Sequence, residues 1–245
     1  MSTLYLLVGR GGSRGVPGKN LRQIGGASLV EWKIRAVRAH DPRAWIVCSS
    51  DSGEIRAEAL ACGADLTIER PAELASDTAT TASVVKHALS VVGGEYERVF
   101  LLEPSTPYTL PEHYSEALAM MATEDADLVV AMKRTEPHTA FIGDIRADAS
   151  VTPIIVQFQR MARRRQDFAP QWTPSGSLYL FRRKMFDETG DIYGGARNYG
   201  LQVDRYTGHE IDTPHDLELA EWYYASGKVA MPYRGNARPY AIVGA

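Results

Sequence analysis

Two cysteines in 245 residues are too few for a disulfide scaffold, and neither Cys48 nor Cys62 belongs to a CxxC pair or a Cys/His cluster of metal-binding spacing. Cys48 lies in an apolar strand-like segment and Cys62 on a helical one, so both read as reduced thiols. No apolar run approaches the ~20 residues that span a bilayer. The N-terminus lacks the charged-then-apolar pattern of a secretory leader, and a cytoplasmic protein is expected. A basic excess is missing as well: 27 Lys and Arg stand against 30 Asp and Glu, for a formal net charge of -3, which argues against general nucleic-acid binding. Repeats and low-complexity stretches are absent, and 245 residues suit one large domain or one domain with a small excursion.

Two common glycine motifs are missing although a glycine-rich loop is present. The loop is Arg10-Gly11-Gly12-Ser13-Arg14-Gly15-Val16-Pro17-Gly18-Lys19-Asn20, directly after the apolar run Leu4–Val8. A Walker A loop needs Gly where Ser13 stands and Ser or Thr where Asn20 stands. The dinucleotide fingerprint, read from Gly9, fails at Arg14, where its last glycine should allow close helix packing. What remains is a loop of a third kind. Its glycines permit close backbone approach to an anion, while Arg10, Arg14 and Lys19 place three cations in one turn at the end of a strand. That clustering favours a nucleoside triphosphate over a solvated surface turn.

Strand and helix patterns alternate along the chain, which predicts a doubly wound, mostly parallel α/β sheet. Strands are expected near residues 4–8, 44–48, 64–68, 98–102, 126–132 and 177–181. Helices are expected from Leu29 to about His40 behind a Ser28/Glu31 capping box, and through Ile55 and Leu60 up to Gly63. Others are expected from Thr80 to Val92, from Pro111 to about Ala122, and from Pro214 through Trp222. Between Lys133 and Trp172 the pattern breaks, with Pro137, Pro153, Pro170 and the basic cluster Arg160, Arg163, Arg164 and Arg165. The expected organisation is an α/β domain from residues 1–132 and 173–228, an excursion over 133–172, and a tail over 229–245.

Five segments, taken together, resemble the acylneuraminate cytidylyltransferases, the CMP-sialic acid synthetases that join CTP to a nine-carbon keto acid sugar. They are the loop Arg10–Asn20, the run Arg70-Pro71-Ala72-Glu73-Leu74-Ala75-Ser76-Asp77-Thr78-Ala79, the turn Glu103-Pro104-Ser105-Thr106-Pro107, the Arg165-Gln166 pair and Glu210-Ile211-Asp212-Thr213. The resemblance spans roughly Leu4 to Tyr224. It implies a Rossmann-like nucleotidyltransferase sheet and a Mg²⁺-dependent homodimer in which residues 133–172 form an inserted dimerisation arm. It assigns Arg10, Gly11, Gly12, Ser13, Arg14, Lys19, Asn20, Arg70, Asp77 and Thr81 to the nucleotide, with Lys19, Arg10 and Asp212 as the catalytic set. Glu210 and Asp212 become the metal ligands, and Glu103, Arg165, Gln166 and Tyr179 the acceptor contacts.

The residue types fit these roles, with alternatives for several. Carboxylates at i and i+2 on an extended segment share a side and can reach one hard cation, although a solvated strand end has the same spelling. Arg165 can hold an acid by two parallel hydrogen bonds, whereas Arg163 and Arg164 read as a solvated face. Asp77 also suits an N-cap for the helix after it, and Tyr179 reads as part core, part pocket wall. His209 and His215 read as solvated histidines.

Four positions depart from the resemblance: Glu103 replaces Gln, Thr173 replaces Arg, Ser175 replaces Asn, and Glu210 replaces Asp. They concentrate in the acceptor half, so the acid is expected to be a modified nonulosonate such as a legionaminic or pseudaminic acid, or a smaller acid such as a phosphonate. An amino substituent on the acceptor would account for Glu103. The expected activity is transfer of CMP from CTP to such an acid. A non-catalytic nucleotide-binding dimer is the rival reading.

Overall fold

The computed structural model describes residues 2–135, 139, 142–151, 159–160 and 168–232. Its strands are β1 (Thr3–Val8), β2 (Gln23–Ile24), β3 (Ala27–Ser28), β4 (Trp45–Ser50), β5 (Leu66–Glu69), β6 (Arg98–Leu102), β7 (Leu128–Arg134), β8 (Trp172–Arg182) and β9 (Asn198–Val203). The helices are α1 (Leu29–His40), α2 (Gly53–Ala61), α3 (Thr81–Val92), α4 (Pro111–Thr123), α5 (Arg183–Thr189) and α6 (Pro214–Ala225). The main sheet runs β5-β4-β1-β6-β8-β7-β9 and is parallel except for β8, which lies antiparallel to both neighbours.

The central strands are apolar on both faces because helices cover both. Along β1, Tyr5 and Leu7 pack with Ile34 and Val37 of α1, while Leu4 and Leu6 pack with Val85 and Leu89 of α3. Each such side chain stabilises the fold by roughly 1.5–3 kcal/mol. Tyr5 stacks on Phe100 of the adjacent β6 at 4.9 Å between ring centroids. A third cluster, with Trp32, Tyr108 and Tyr223, fixes α6 beside α1, and there the Trp32 indole donates to the Ile24 carbonyl at 2.9 Å.

The expected helix starts are present. Ser28 caps α1 by accepting from the Glu31 amide at 3.0 Å, although the Glu31 carboxylate pairs with Arg35 instead of closing a full capping box. Thr213 and Asp216 form a reciprocal box at the start of α6, with Pro214 in its first turn. Three features differ from expectation. β8 begins at Trp172 and takes in Thr173 and Ser175; α5 follows it directly; and β9 is an edge strand in which only Leu201 and Val203 are buried. An exposed edge strand carries no apolar run for the sequence to display.

Candidate active site

The carboxyl ends of β1, β4, β5 and β6 all reach the same edge of the sheet, the usual ligand position of such folds. They frame a cleft of ≈ 320 Å³ whose walls include Arg10, Ser13, Lys19, Asn20, Asp77 and Glu103. The glycine loop is anchored from beneath: the Gly9 amide donates to the Ser49 carbonyl at 3.3 Å, and Asn20 Nδ2 donates to the Arg10 carbonyl at 2.9 Å. Gly18, at φ +64°, turns the chain into a short 3-10 turn that presents Lys19. The Gly11 amide donates to Asp51 Oδ1 at 3.0 Å, an anchor that sequence reading did not single out. Gly12 is exposed, and side chains of the loop line the cleft.

Arg70, expected at the nucleotide, is buried on the cleft wall. It donates to the Ser49 carbonyl at 2.5 Å and the Gly9 carbonyl at 3.2 Å, so its guanidinium binds the ends of β1 and β4 together. Asp77 is not the cap of α3. Thr80 takes that place, its hydroxyl accepting from the Ser83 amide at 3.1 Å, and Thr81 follows on the cleft wall. The freed Asp77 carboxylate accepts from Arg10 at 2.7 Å and pairs with Arg14, and these arginines hold its pKa below the usual carboxylate range.

Lys19 joins the glycine loop to the Glu210–Asp212 segment. Its ammonium donates to the Ile211 carbonyl at 2.7 Å and to Asp212 Oδ1 at 3.0 Å, and the Ile211 amide donates to the Ser105 carbonyl at 2.8 Å. Ile211 is fully buried, whereas Glu210 and Asp212 are not, as alternation requires. Gly15 presses on the carbonyl of Asp212, so that a Cβ there would overlap it. Gly15→Ala is therefore expected to push loop and carboxylate apart, lowering affinity for a nucleoside triphosphate by about tenfold, which is roughly 1.4 kcal/mol. Titration calorimetry of the two proteins tests this, and equal affinity would mean that the contact has no bearing on the site.

Glu210 faces Lys133 across 3.9 Å and lies near the half-buried Glu103. Burial and the neighbouring Glu210 charge push the Glu103 carboxyl up to about 7, and burial with Asp212 raises Glu210 as well. Behind them is a residue the sequence did not advertise. Lys33 of α1 is fully buried, donating to Thr109 Oγ1 at 2.5 Å, the Ser177 carbonyl at 2.9 Å and Thr106 Oγ1 at 3.4 Å, and burial brings its pKa down to about 7.

Tyr179 is buried on β8, with its ring edge-on to Tyr193. Ser175 does not face the acceptor side: it is fully buried, donating to the Ala131 carbonyl at 3.2 Å and bonded to Ser177 Oγ at 2.8 Å where the β7–β8 register shifts. Thr173 pairs with Lys133 in that ladder. Arg165 and Gln166 lie outside the described residues. His209 is half-buried rather than solvated, its Nε2 at 2.8 Å from the Asp216 carbonyl and its ring edge-on to Tyr223, while His215 is exposed as expected. Both cysteines are free thiols; burial pushes Cys48 and Cys62 up to about 12, so neither is poised as a nucleophile.

Residues 5–161 match the family described as cytidylyltransferase, and that match takes in the glycine loop, Arg70, Asp77 and Glu103. The chain belongs to the cytidylyltransferase family. It is 28% identical over 216 residues to N-acylneuraminate cytidylyltransferase A of Danio rerio, covering 88% of this chain and 49% of the relative. Against the N-acylneuraminate cytidylyltransferase of Escherichia coli O18:K1:H7 it is 26% identical, covering 89% and 51%. The chain thus spans about half the length of those relatives. It spans 93% of the post-translational flagellin modification protein B of Campylobacter coli, at 26% identity and 89% of its own length. Among solved structures, a CMP:2-keto-3-deoxy-manno-octonic acid synthetase complexed with CTP superposes with a TM-score of 0.67 at 17% identity, covering 93% of this chain and 100% of that one. A 4-diphosphocytidyl-2C-methyl-D-erythritol synthase from Anaerococcus prevotii gives 0.60 at 13% identity, covering 91% and 95%. These structural likenesses establish the mostly parallel α/β fold. Among the described residues no helix is long and apolar enough to cross a membrane.

Proposed function

We propose that this protein transfers CMP from CTP to an acidic sugar of the nonulosonate type and releases pyrophosphate. The observation that carries the reading is the junction made by Lys19, whose ammonium ties the glycine loop to Asp212 at the mouth of one cleft. An acceptor hydroxyl oxygen attacks the α-phosphorus in line, the new O–P bond forms, the bond from the α-phosphorus to the bridging oxygen breaks to release pyrophosphate, and the hydroxyl proton passes to solvent. Negative charge grows on the equatorial and leaving oxygens as this happens, and Lys19 and Arg10 are cations already fixed at the cleft wall, so they stabilise that charge with little reorganisation. Arg10 is held by Asp77 until an anion competes for it.

Glu210 and Asp212 offer hard oxygen ligands on either side of a buried Ile211, a donor set suited to Mg²⁺. When bound there, the ion would neutralise phosphate charge. The same reading makes the protein a cytoplasmic homodimer with residues 133–172 on the partner subunit, an arrangement supported by the exposed Ile142 and Ile145 of that segment.

The test supplies CTP, ATP, GTP or UTP with Mg²⁺ and a panel of acid sugars, and reads pyrophosphate release and product mass. Turnover with CTP and at least one nonulosonate is expected, with Asp212→Ala reducing it to background. CTP binding without turnover on any acid would reject the reading in favour of a non-catalytic binding protein. Turnover confined to a phosphonate would move the acceptor class instead.

A further inference from the structure

The acceptor side of the cleft carries more negative charge than an acid acceptor should welcome. Gly176, at φ +71°, lets two carboxylates crowd against the backbone: a Cβ placed there would lie only 2.9 Å from Glu103 Oε2 and 3.3 Å from Glu210 Oε1. Glu210 is partly balanced by Lys133 at 3.9 Å, and Asp212 is balanced by Lys19 at 3.0 Å. Glu103 has no such partner among the described residues. Lys33 lies behind it, but that ammonium is committed to Thr109, Thr106 and the Ser177 carbonyl. Tyr179 pairs across the β6–β8 ladder with Leu101, two residues before Glu103, and Tyr193 stands edge-on to it with ring centroids 6.2 Å apart at 90°.

A half-buried carboxylate beside tyrosine rings is an environment for a small organic cation. The carboxylate accepts a charge-assisted hydrogen bond, and the ring faces attract positive charge electrostatically. An N-acetyl amide can offer Glu103 only an uncharged N–H, which leaves the carboxylate in this partly dry site without a counter-charge, whereas an ammonium both donates to it and balances it. Resting on the cytidylyl-transfer reading, and narrowing its acceptor, we propose that Glu103 selects an acid that carries a protonated primary amine, held between the Glu103 carboxylate and the Tyr179–Tyr193 pair. Glu103 is then a specificity-determining residue. One acceptor molecule presents its acid group elsewhere in the cleft, its hydroxyl to the α-phosphate and its ammonium to Glu103.

The experiment uses the full chain with CTP, Mg²⁺ and matched acceptors that differ only in a free amine against its N-acetyl derivative, scored as kcat/KM from pyrophosphate release with product mass as confirmation. The amine form is expected to be preferred at least tenfold. Glu103→Gln is expected to lower kcat/KM for the amine form at least tenfold and to lower the N-acetyl form much less, so that the preference collapses. Glu103→Asp, which keeps the charge, is expected to retain part of it. The ratio of the two acceptors is insensitive to partial misfolding, which lowers both alike. Preference for the N-acetyl form, or a proportional loss on both acceptors with Glu103→Gln, overturns the proposal and leaves cytidylyl transfer standing. A rise in the Mg²⁺ requirement on both acceptors at an unchanged ratio also overturns it, and makes Glu103 a metal ligand instead. Absence of CMP transfer to every acid overturns both readings together.

Discussion

Lys19→Met is expected to lower kcat/KM for CTP by about 10²–10³, the cost typical of removing one fixed donor from a developing oxyanion, roughly 3–4 kcal/mol. Two losses combine in this variant. The cation facing the triphosphate disappears, and the Ile211 carbonyl and Asp212 carboxylate lose the donor that holds them at 2.7 and 3.0 Å. Stability should change little. The Asp212 side chain is 63% exposed, and an ion pair with one partner so open to solvent contributes little to folding. Steady-state pyrophosphate release beside a thermal melt separates the two effects. Activity within tenfold of the parent would remove Lys19 from the machinery, and a large fall in Tm would make its role structural.

Lys33→Ala is expected to have the largest effect on stability, about 3–5 kcal/mol. It empties a fully buried volume and strips the Ser177 carbonyl of its donor while Thr106 and Thr109 lose the ammonium that joins them. Lys33→Met keeps the stem and loses only the charge, so its cost is smaller, about 1–3 kcal/mol for the unpaired carbonyl. The pH dependence provides a sharper test. Burial lowers this ammonium's pKa to about 7 from the ordinary 10.5, so between those values the unfolded chain holds the proton and the folded chain has released it. Stability contributed by Lys33 therefore rises with pH across that window. Below about pH 7 the full desolvation cost is present in the parent protein, and above 10.5 it is gone. The stability advantage of the parent over Lys33→Met should widen from pH 7 to pH 10 in urea melts. An advantage that stays constant or narrows would show that Lys33 remains charged in the folded state throughout.

The sequence displays best those features that are local or periodic. The apolar run of β1, the glycine loop after it and the Ser28 cap are contiguous, and all are found where expected. The alternation around Glu210 and Asp212 is also visible, Ile211 between them being buried while both carboxylate residues are not. Asp77 was ambiguous because Thr80, three residues on, is an equally good cap, and only the reach of Arg10 and Arg14 across the cleft decides between them. Lys33 could not be read at all. A lysine on an amphipathic helix ordinarily faces water, and its acceptors at Thr109 and Ser177 are 76 and 144 residues away in the chain. Tyr193 and Lys133 escape for the same reason, since Tyr193 comes from the turn after α5 to meet Tyr179 and Lys133 comes from β7, and neither belongs to a motif. Ser175 shows the converse: a departure from the family pattern that looks like a change at the site and is a packing change at an irregular point of the ladder.

The antiparallel placement of β8 has a consequence for how this scaffold can vary. Residues 133–172 leave from β7 and return on β8, and the two ends are held side by side by the Lys133–Thr173 and Arg134–Trp172 ladder pairs, with the Thr135 amide donating to the Gln171 carbonyl at 2.8 Å. The two ends of the segment are therefore closed into a neck. Lengthening or exchanging it stretches no strand and shifts no register, and costs only the slowly growing entropy of a larger loop, about 0.6 kcal/mol for each doubling in length. The sheet and its glycine loop can stay constant while this appendage is replaced wholesale, which makes the neck at Thr135 and Gln171 the natural junction for grafting a segment from a relative.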